Sequence, residues 1–223
     1  MQVAEISTTN QAGKYGPLKG QCCVNPGSYI KGTFFLGGAG MDGIYIPKLI
    51  EAFHKSGIKS TIYLDREKWS EGQYIDAFLG VFFGRDYDPW FPMLLRIHQN
   101  SHKQFNLIGY SYGSLIAAQL AAKYARRGSL VDHLVLIGSP ISESFLTILR
   151  NMKEIKSIII INLDEHGDPI YAGMKASELV INAYTLREQM KTSTGHFYYA
   201  EKSSAGNKRR KELADELYKL GLR

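Results

Sequence analysis

Cysteine is nearly missing from this chain of 223 residues, which holds two, Cys22 and Cys23, side by side. Adjacent cysteines rarely bridge, because so small a ring strains the disulfide geometry. Without spaced cysteine pairs there is no framework for a cysteine-rich zinc site. The expectation is a protein folded in a reducing, cytoplasmic setting. Long apolar runs are also missing. The densest, "KSIIIINL", is far short of a membrane span and suits a buried strand. The opening "MQVAEISTTNQAGKYG" has no basic region followed by an apolar one, so no secretory signal is expected. A zinc-protease motif is lacking as well. His98 and His102 would share a helix face, but Gln99 stands where that chemistry needs a glutamate. No metal and no cofactor are expected. Neither sign of charge dominates: 27 Lys and Arg face 21 Asp and Glu, for a net charge of +6. That balance does not call for a nucleic-acid partner, and it allows transient contact with an acidic membrane surface. The clearest basic run, Lys208 to Lys211, opens a helix and reads as a solvated face.

What is present is a rhythm. Hydrophobic residues make up 44% of the chain, enough for one domain with a sizeable core. Residues 1–31 are polar and punctuated by Gly and Pro, and carry no firm element. From residue 32 onward, strands alternate with helices: Thr33 to Leu36, a helix from Tyr45 to His54, "KSTIYLD", then an aromatic-rich irregular stretch from Trp69 to Pro92. "PMLLRIHQN" reads as a helix, "FNLIGY" as a strand, and Ser114 to Arg126 as a helix. "DHLVLIG" is a strand, Glu143 to Met152 a helix, "KSIIIINL" a strand, and "ELVINAYTL" the last strand. An amphipathic helix closes the chain, with Leu213, Leu217 and Leu220 on one side. The fold class is α/β, a mostly parallel twisted sheet with helices on both faces. Ligands of such sheets gather at the carboxyl ends of the strands.

At one of those ends, Gly109-Tyr110-Ser111-Tyr112-Gly113 matches G-x-S-x-G between a strand and a small-residue helix. Glycines flank the serine because side chains would collide in so tight a turn. The serine is then forced into a strained conformation, with its Oγ above the sheet. The alternative is an ordinary strand-to-helix turn with Ser111 as a cap. A serine nucleophile needs a base, and the base an orienting carboxylate, in the chain order Ser, acid, His. Of the histidines after Ser111, His133 starts a strand at the wrong end of the sheet, and His166 lies among the acid candidates. His196, in "STGHFYY", is the preferred base. The preferred acid is Asp168, with Asp164 as the alternative. The backbone of "FLGGAGMDG" can approach a substrate oxygen, and Ala39 or Met41 is expected to donate an N–H to the oxyanion together with Tyr112.

"FFLGGAGMDG", "NLIGYSYGS", "VDHLVLIGSP", "NLDEHGDPIY" and "GHFYY" together resemble the α/β-hydrolase superfamily, in its lipase and esterase branch. The likeness runs from about Gly32 to the C-terminus, which makes 32–223 an α/β-hydrolase domain with a small lid or none. It implies a serine hydrolase acting on ester or lipid substrates through an acyl-enzyme on Ser111. The GGAG loop together with the GHFYY histidine is also similar to lipase effectors of bacterial type VI secretion, which implies export without a signal peptide.

Two rival readings stay open at this point. Gly38 to Gly43 satisfies G-x-G-x-x-G, and Asp65 stands where a ribose-binding acid would. Tyr171 and Lys175 give Y-x-x-x-K, which resembles the catalytic pair of short-chain dehydrogenases using NAD(P). The other rival is a catalytically silent hydrolase fold used for binding, in which Ser111, Asp168 and His196 fail to converge. The aromatic stretch from Phe82 to Pro92 could line an acyl pocket or simply pack as a loop.

Overall fold

The computed structural model describes residues 30–38, 43, 45–64 and 103–223. Among them five parallel strands form one sheet in the order β2-β1-β3-β4-β5: β1 (Gly32–Leu36), β2 (Thr61–Tyr63), β3 (Phe105–Tyr110), β4 (His133–Ile137) and β5 (Ile158–Ile161). Between and after them come α1 (Tyr45–Ser56), α2 (Tyr112–Ala125), α3 (Glu143–Arg150), α4 (Ala176–Ile181), α5 (Ala183–Thr192) and α6 (Ser204–Lys219). The α/β class and the mostly parallel sheet read from the sequence are therefore what the structure holds.

Side chains alternate across the sheet, as the pleat requires. Phe34, Leu36, Leu107, Leu134 and Leu136 point into a core beneath α2 and α3. Phe35, Ile108, Val135 and Ile137 point into a second core with α1 and α6. Covering both faces is why these strands read as nearly continuous apolar runs. Helix α2 is rich in alanine, and Ala117, Ala118 and Ala121 are fully buried, so its backbone lies close to the sheet.

The winding reverses at β1. The chain steps outward to β2, then returns to place β3 on the other side of β1. Such a switch point opens a crevice at the carboxyl ends of the two strands. Ser111 directly follows β3, and the GGAG loop directly follows β1.

Two expectations are corrected. "ELVINAYTL" is not a strand but the helical pair α4 and α5. A short apolar run does not by itself distinguish strand from helix. The local start signal decides: the Glu178 carboxylate accepts the Lys175 N–H at 2.8 Å, half of a capping box at the head of α4. "KSIIIINL" is a strand, but its four residues are half-buried, because β5 is the edge of the described sheet. The stretches 1–29 and 65–102, including Cys22, Cys23, His98, His102 and the aromatic run, lie outside the described residues. No helix among the described residues is long and apolar enough to cross a membrane.

Candidate active site

Ser111 sits at the first position of the turn into α2 with φ 55° and ψ −127°, a left-side backbone conformation that costs a non-glycine residue strain. Packing holds it there. The Ser111 N–H donates to the Ile137 carbonyl at 2.8 Å, and its own carbonyl takes the Ser114 N–H at 2.9 Å. The flanking glycines are obligatory for contact reasons. A Cβ on Gly109 would lie 2.2 Å from the Ser114 Cα, and one on Gly113 would lie 2.3 Å from the Leu36 carbonyl oxygen. The second contact ties the elbow directly to the end of β1.

Ser111 occupies the N-cap position but makes no side-chain capping bond. Its Oγ instead lies 2.6 Å from His196 Nε2. His196 Nδ1 lies 2.7 Å from Asp168 Oδ2. Asp168 Oδ1 accepts the Ile170 N–H at 2.8 Å, which fixes the carboxylate plane. The three side chains thus form one hydrogen-bonded chain, and Asp168 and His196 are 5% and 4% exposed. With Nδ1 hydrogen donated to the carboxylate, Nε2 is free to accept from the serine hydroxyl. The failure to converge expected of a silent fold is not what the structure holds.

Each member is carried by a different element. Asp168 follows β5 and a 3-10 turn (Asp164–His166), and Asp164 itself is exposed on that turn. His196 lies in a 3-10 segment, Gly195–Ala200. Its carbonyl accepts the hydroxyl of Tyr110, from the end of β3, at 2.5 Å. Burial, followed by nearby Tyr45 and Asp168, pushes the Tyr110 pKa well above its usual value, so this hydroxyl stays a donor. His133 is at the far end of β4, where its Nδ1 meets Asn106 Oδ1 at 2.8 Å. His166 stacks on Tyr198, with ring centroids 3.6 Å apart.

Sequence reasoning missed two supports. Gly138, after β4, has φ +49°, and a Cβ there would sit 3.0 Å from Asp168 Oδ2 and 3.2 Å from His196 Cε1. A side chain there would crowd Asp168 and His196 where they meet, and the positive φ adds strain. The basic run is the other. Lys208 and Lys211 face solvent, but Arg210 is 1% exposed. Its Nη1 donates to the carbonyls of Tyr199 at 2.7 Å and Glu201 at 2.6 Å, and its Nη2 donates to Asn207 Oδ1 at 2.8 Å. Arg209 lies over the Tyr198 ring at 4.1 Å and pairs with Glu201 at 2.5 Å. Half of the presumed solvated face therefore holds the segment that carries His196. That the run opens a helix with solvated lysines was legible in the sequence, whereas the inward turn of two arginines was not.

Tyr112 opens α2 immediately after Ser111, where the first N–H groups of a helix have no intrahelical acceptor. Ala39 and Met41, the other expected oxyanion donors, lie outside the described residues, as does Asp65. Of the dehydrogenase pair, Tyr171 is 39% exposed and precedes α4. Its hydroxyl donates to Glu178 at 3.0 Å, and this bond raises its pKa. A tyrosine acid/base needs the opposite shift. Among the described residues no group of three or more His, Cys, Asp or Glu is placed to hold a metal ion.

Residues 81–158 match the family model described as the alpha/beta hydrolase fold. The match includes Ser111 and stops short of Asp168 and His196. No curated protein and no solved structure gives a significant match. The parallel sheet, the strained serine turn after β3 and this match agree on one architecture: the chain has the α/β-hydrolase fold.

Proposed function

We propose that the protein is a serine hydrolase of carboxylic esters, with acyl or lipid esters as its substrates. The carrying observation is the unbroken hydrogen-bond chain from Ser111 through His196 to Asp168, at the carboxyl edge of the sheet. In this reading His196 Nε2 takes the hydroxyl proton as Ser111 Oγ attacks the ester carbonyl carbon. Asp168 holds the imidazole in the required tautomer and stabilises its charged form. The Tyr112 N–H and an N–H of Ala39 or Met41 receive the oxyanion, each donor contributing about 3 kcal/mol to the transition state. His196 then protonates the departing alcohol. Water, deprotonated by the same base, cleaves the acyl-enzyme and restores the serine. The net charge of +6 favours substrates presented at acidic surfaces.

The test is labelling with a fluorophosphonate probe, followed by peptide mapping and by ester hydrolysis. An adduct on Ser111 and loss of about 10⁶-fold in kcat for Ser111→Ala are expected. A folded protein that takes no probe, or a Ser111→Ala variant that keeps full esterase activity, refutes the proposal.

A further inference from the structure

We infer that Gln189 is a positioning residue that sets the spacing between the base and the acid. The inference rests on the hydrolase reading above. Gln189 lies in the last turn of α5, and its side-chain amide is used at both ends. Oε1 accepts the His196 backbone N–H at 2.8 Å. Nε2 donates to the carbonyl of Gly167, the neighbour of Asp168, at 2.7 Å. One partner can only donate and the other can only accept, so a single orientation of the amide satisfies both. A carboxylate has no donor, and an apolar chain of the same length offers neither.

Both backbone groups need such a partner. His196 sits in the first turn of a 3-10 segment, where N–H groups lack a local acceptor. Gly167 ends the other 3-10 turn in a left-handed conformation, φ +83°, and its carbonyl takes the Gln189 amide N–H. Gln189 is itself anchored, because its own carbonyl accepts the N–H of Ser193 and that of Thr194 at 3.3 Å. The side chain therefore joins the backbones of the two loops at a set distance. The 2.7 Å bond between His196 Nδ1 and Asp168 Oδ2 depends on that distance. A displacement of an ångström at a reacting group can cost about 10²-fold in rate.

The test compares Gln189→Met, Gln189→Glu and Lys191→Ala with the parent full-length protein. Lys191 is a control on the same helix, paired at the surface with Glu188. Sites are counted by titrating Ser111 with the fluorophosphonate, and kcat and KM for a soluble acyl ester are then expressed per labelled site. For Gln189→Met, kcat per site is expected to fall about 10-fold with KM within about twofold, since the change is aimed at the spacing of His196 and Asp168. The acidic limb of kcat/KM should move to lower pH, because a looser Asp168 stabilises the imidazolium less. Gln189→Glu, which keeps the bond to His196 and sets two oxygens face to face at Gly167, should also fall, and Lys191→Ala should not. If the Gln189 variants keep parental kcat per site and an unmoved acidic limb, whatever happens to their melting temperature, the inference is overturned while the hydrolase reading stands. A parent protein with neither probe adduct nor hydrolysis overturns both.

Discussion

At the scale of single residues, two carboxylates four positions apart have different futures. Asp168 is buried against His196 with both oxygens engaged, whereas Asp164 is exposed at the start of a 3-10 turn. Asp168→Asn is expected to lower kcat by about 10⁴-fold, because an amide at that position no longer holds the required tautomer. Asp164→Asn should leave kcat within about twofold, since a surface carboxylate can be neutralised at little cost. Steady-state kinetics of the two purified variants decide the matter. Chain order admits both carboxylates between Ser111 and His196, and their different burial is visible only in the folded chain. Gly138 was not legible at all. Its requirement comes from Asp168 and His196 packing against it, and both are distant in the chain.

At the scale of elements, the His196 segment is an irregular turn that could not hold its shape alone. Short 3-10 pieces have poor hydrogen-bond geometry. Tyr110 reaches it from β3, Arg209 and Arg210 from α6, and Gln189 from α5. Removing the Arg210 guanidinium takes a donor from the buried Tyr199 carbonyl and from the half-buried Glu201 carbonyl. Arg210→Met is therefore expected to destabilise the fold by about 3 kcal/mol, with Arg210→Lys recovering only part, because an ammonium cannot span both carbonyls and Asn207. Denaturant midpoints measure this, and unchanged midpoints for both variants would contradict the clamp. The amphipathic pattern of α6 was readable from Leu213 and Leu217, both buried as expected, whereas Leu220, expected on the same side, caps the helix end and is 50% exposed. The strand expected at "ELVINAYTL" failed because a nine-residue apolar run carries no period long enough to separate the two states, and Glu178 capped it as a helix.

At the scale of the whole molecule, the two ends of the sheet carry different duties. The carboxyl end holds the Ser111 chain. The amino end holds a polar network in which Asn106 bridges Thr33 and His133, at 2.9 and 2.8 Å. Burial, more than the neighbouring charges, lowers the His133 pKa below its ordinary 6.5. The unfolded chain then binds more protons than the folded one wherever pH lies between the folded value and 6.5. His133 therefore contributes stability that is fully present above pH 6.5 and is lost as pH falls through the folded value. The expectation is a melting temperature that declines below pH 6.5 in the parent and declines less in His133→Gln. Equal slopes in the two proteins would show that other groups govern the acid limb of stability.

The α/β class, the crevice beside β1 and β3, and Ser111 at its strained corner were determined by sequence, because each is written in residues adjacent along the chain. Period-two apolar strands, an alanine-rich helix and glycines on either side of a serine are local patterns with local causes. The meeting of His196 with Ser111 spans 85 positions, and its meeting with Asp168 spans 28. Only the folded arrangement decided those contacts, the burial of Arg210 and the reach of Gln189. Each depends on where separate loops end in space, and that is set by packing around two cores rather than by any run of neighbouring residues.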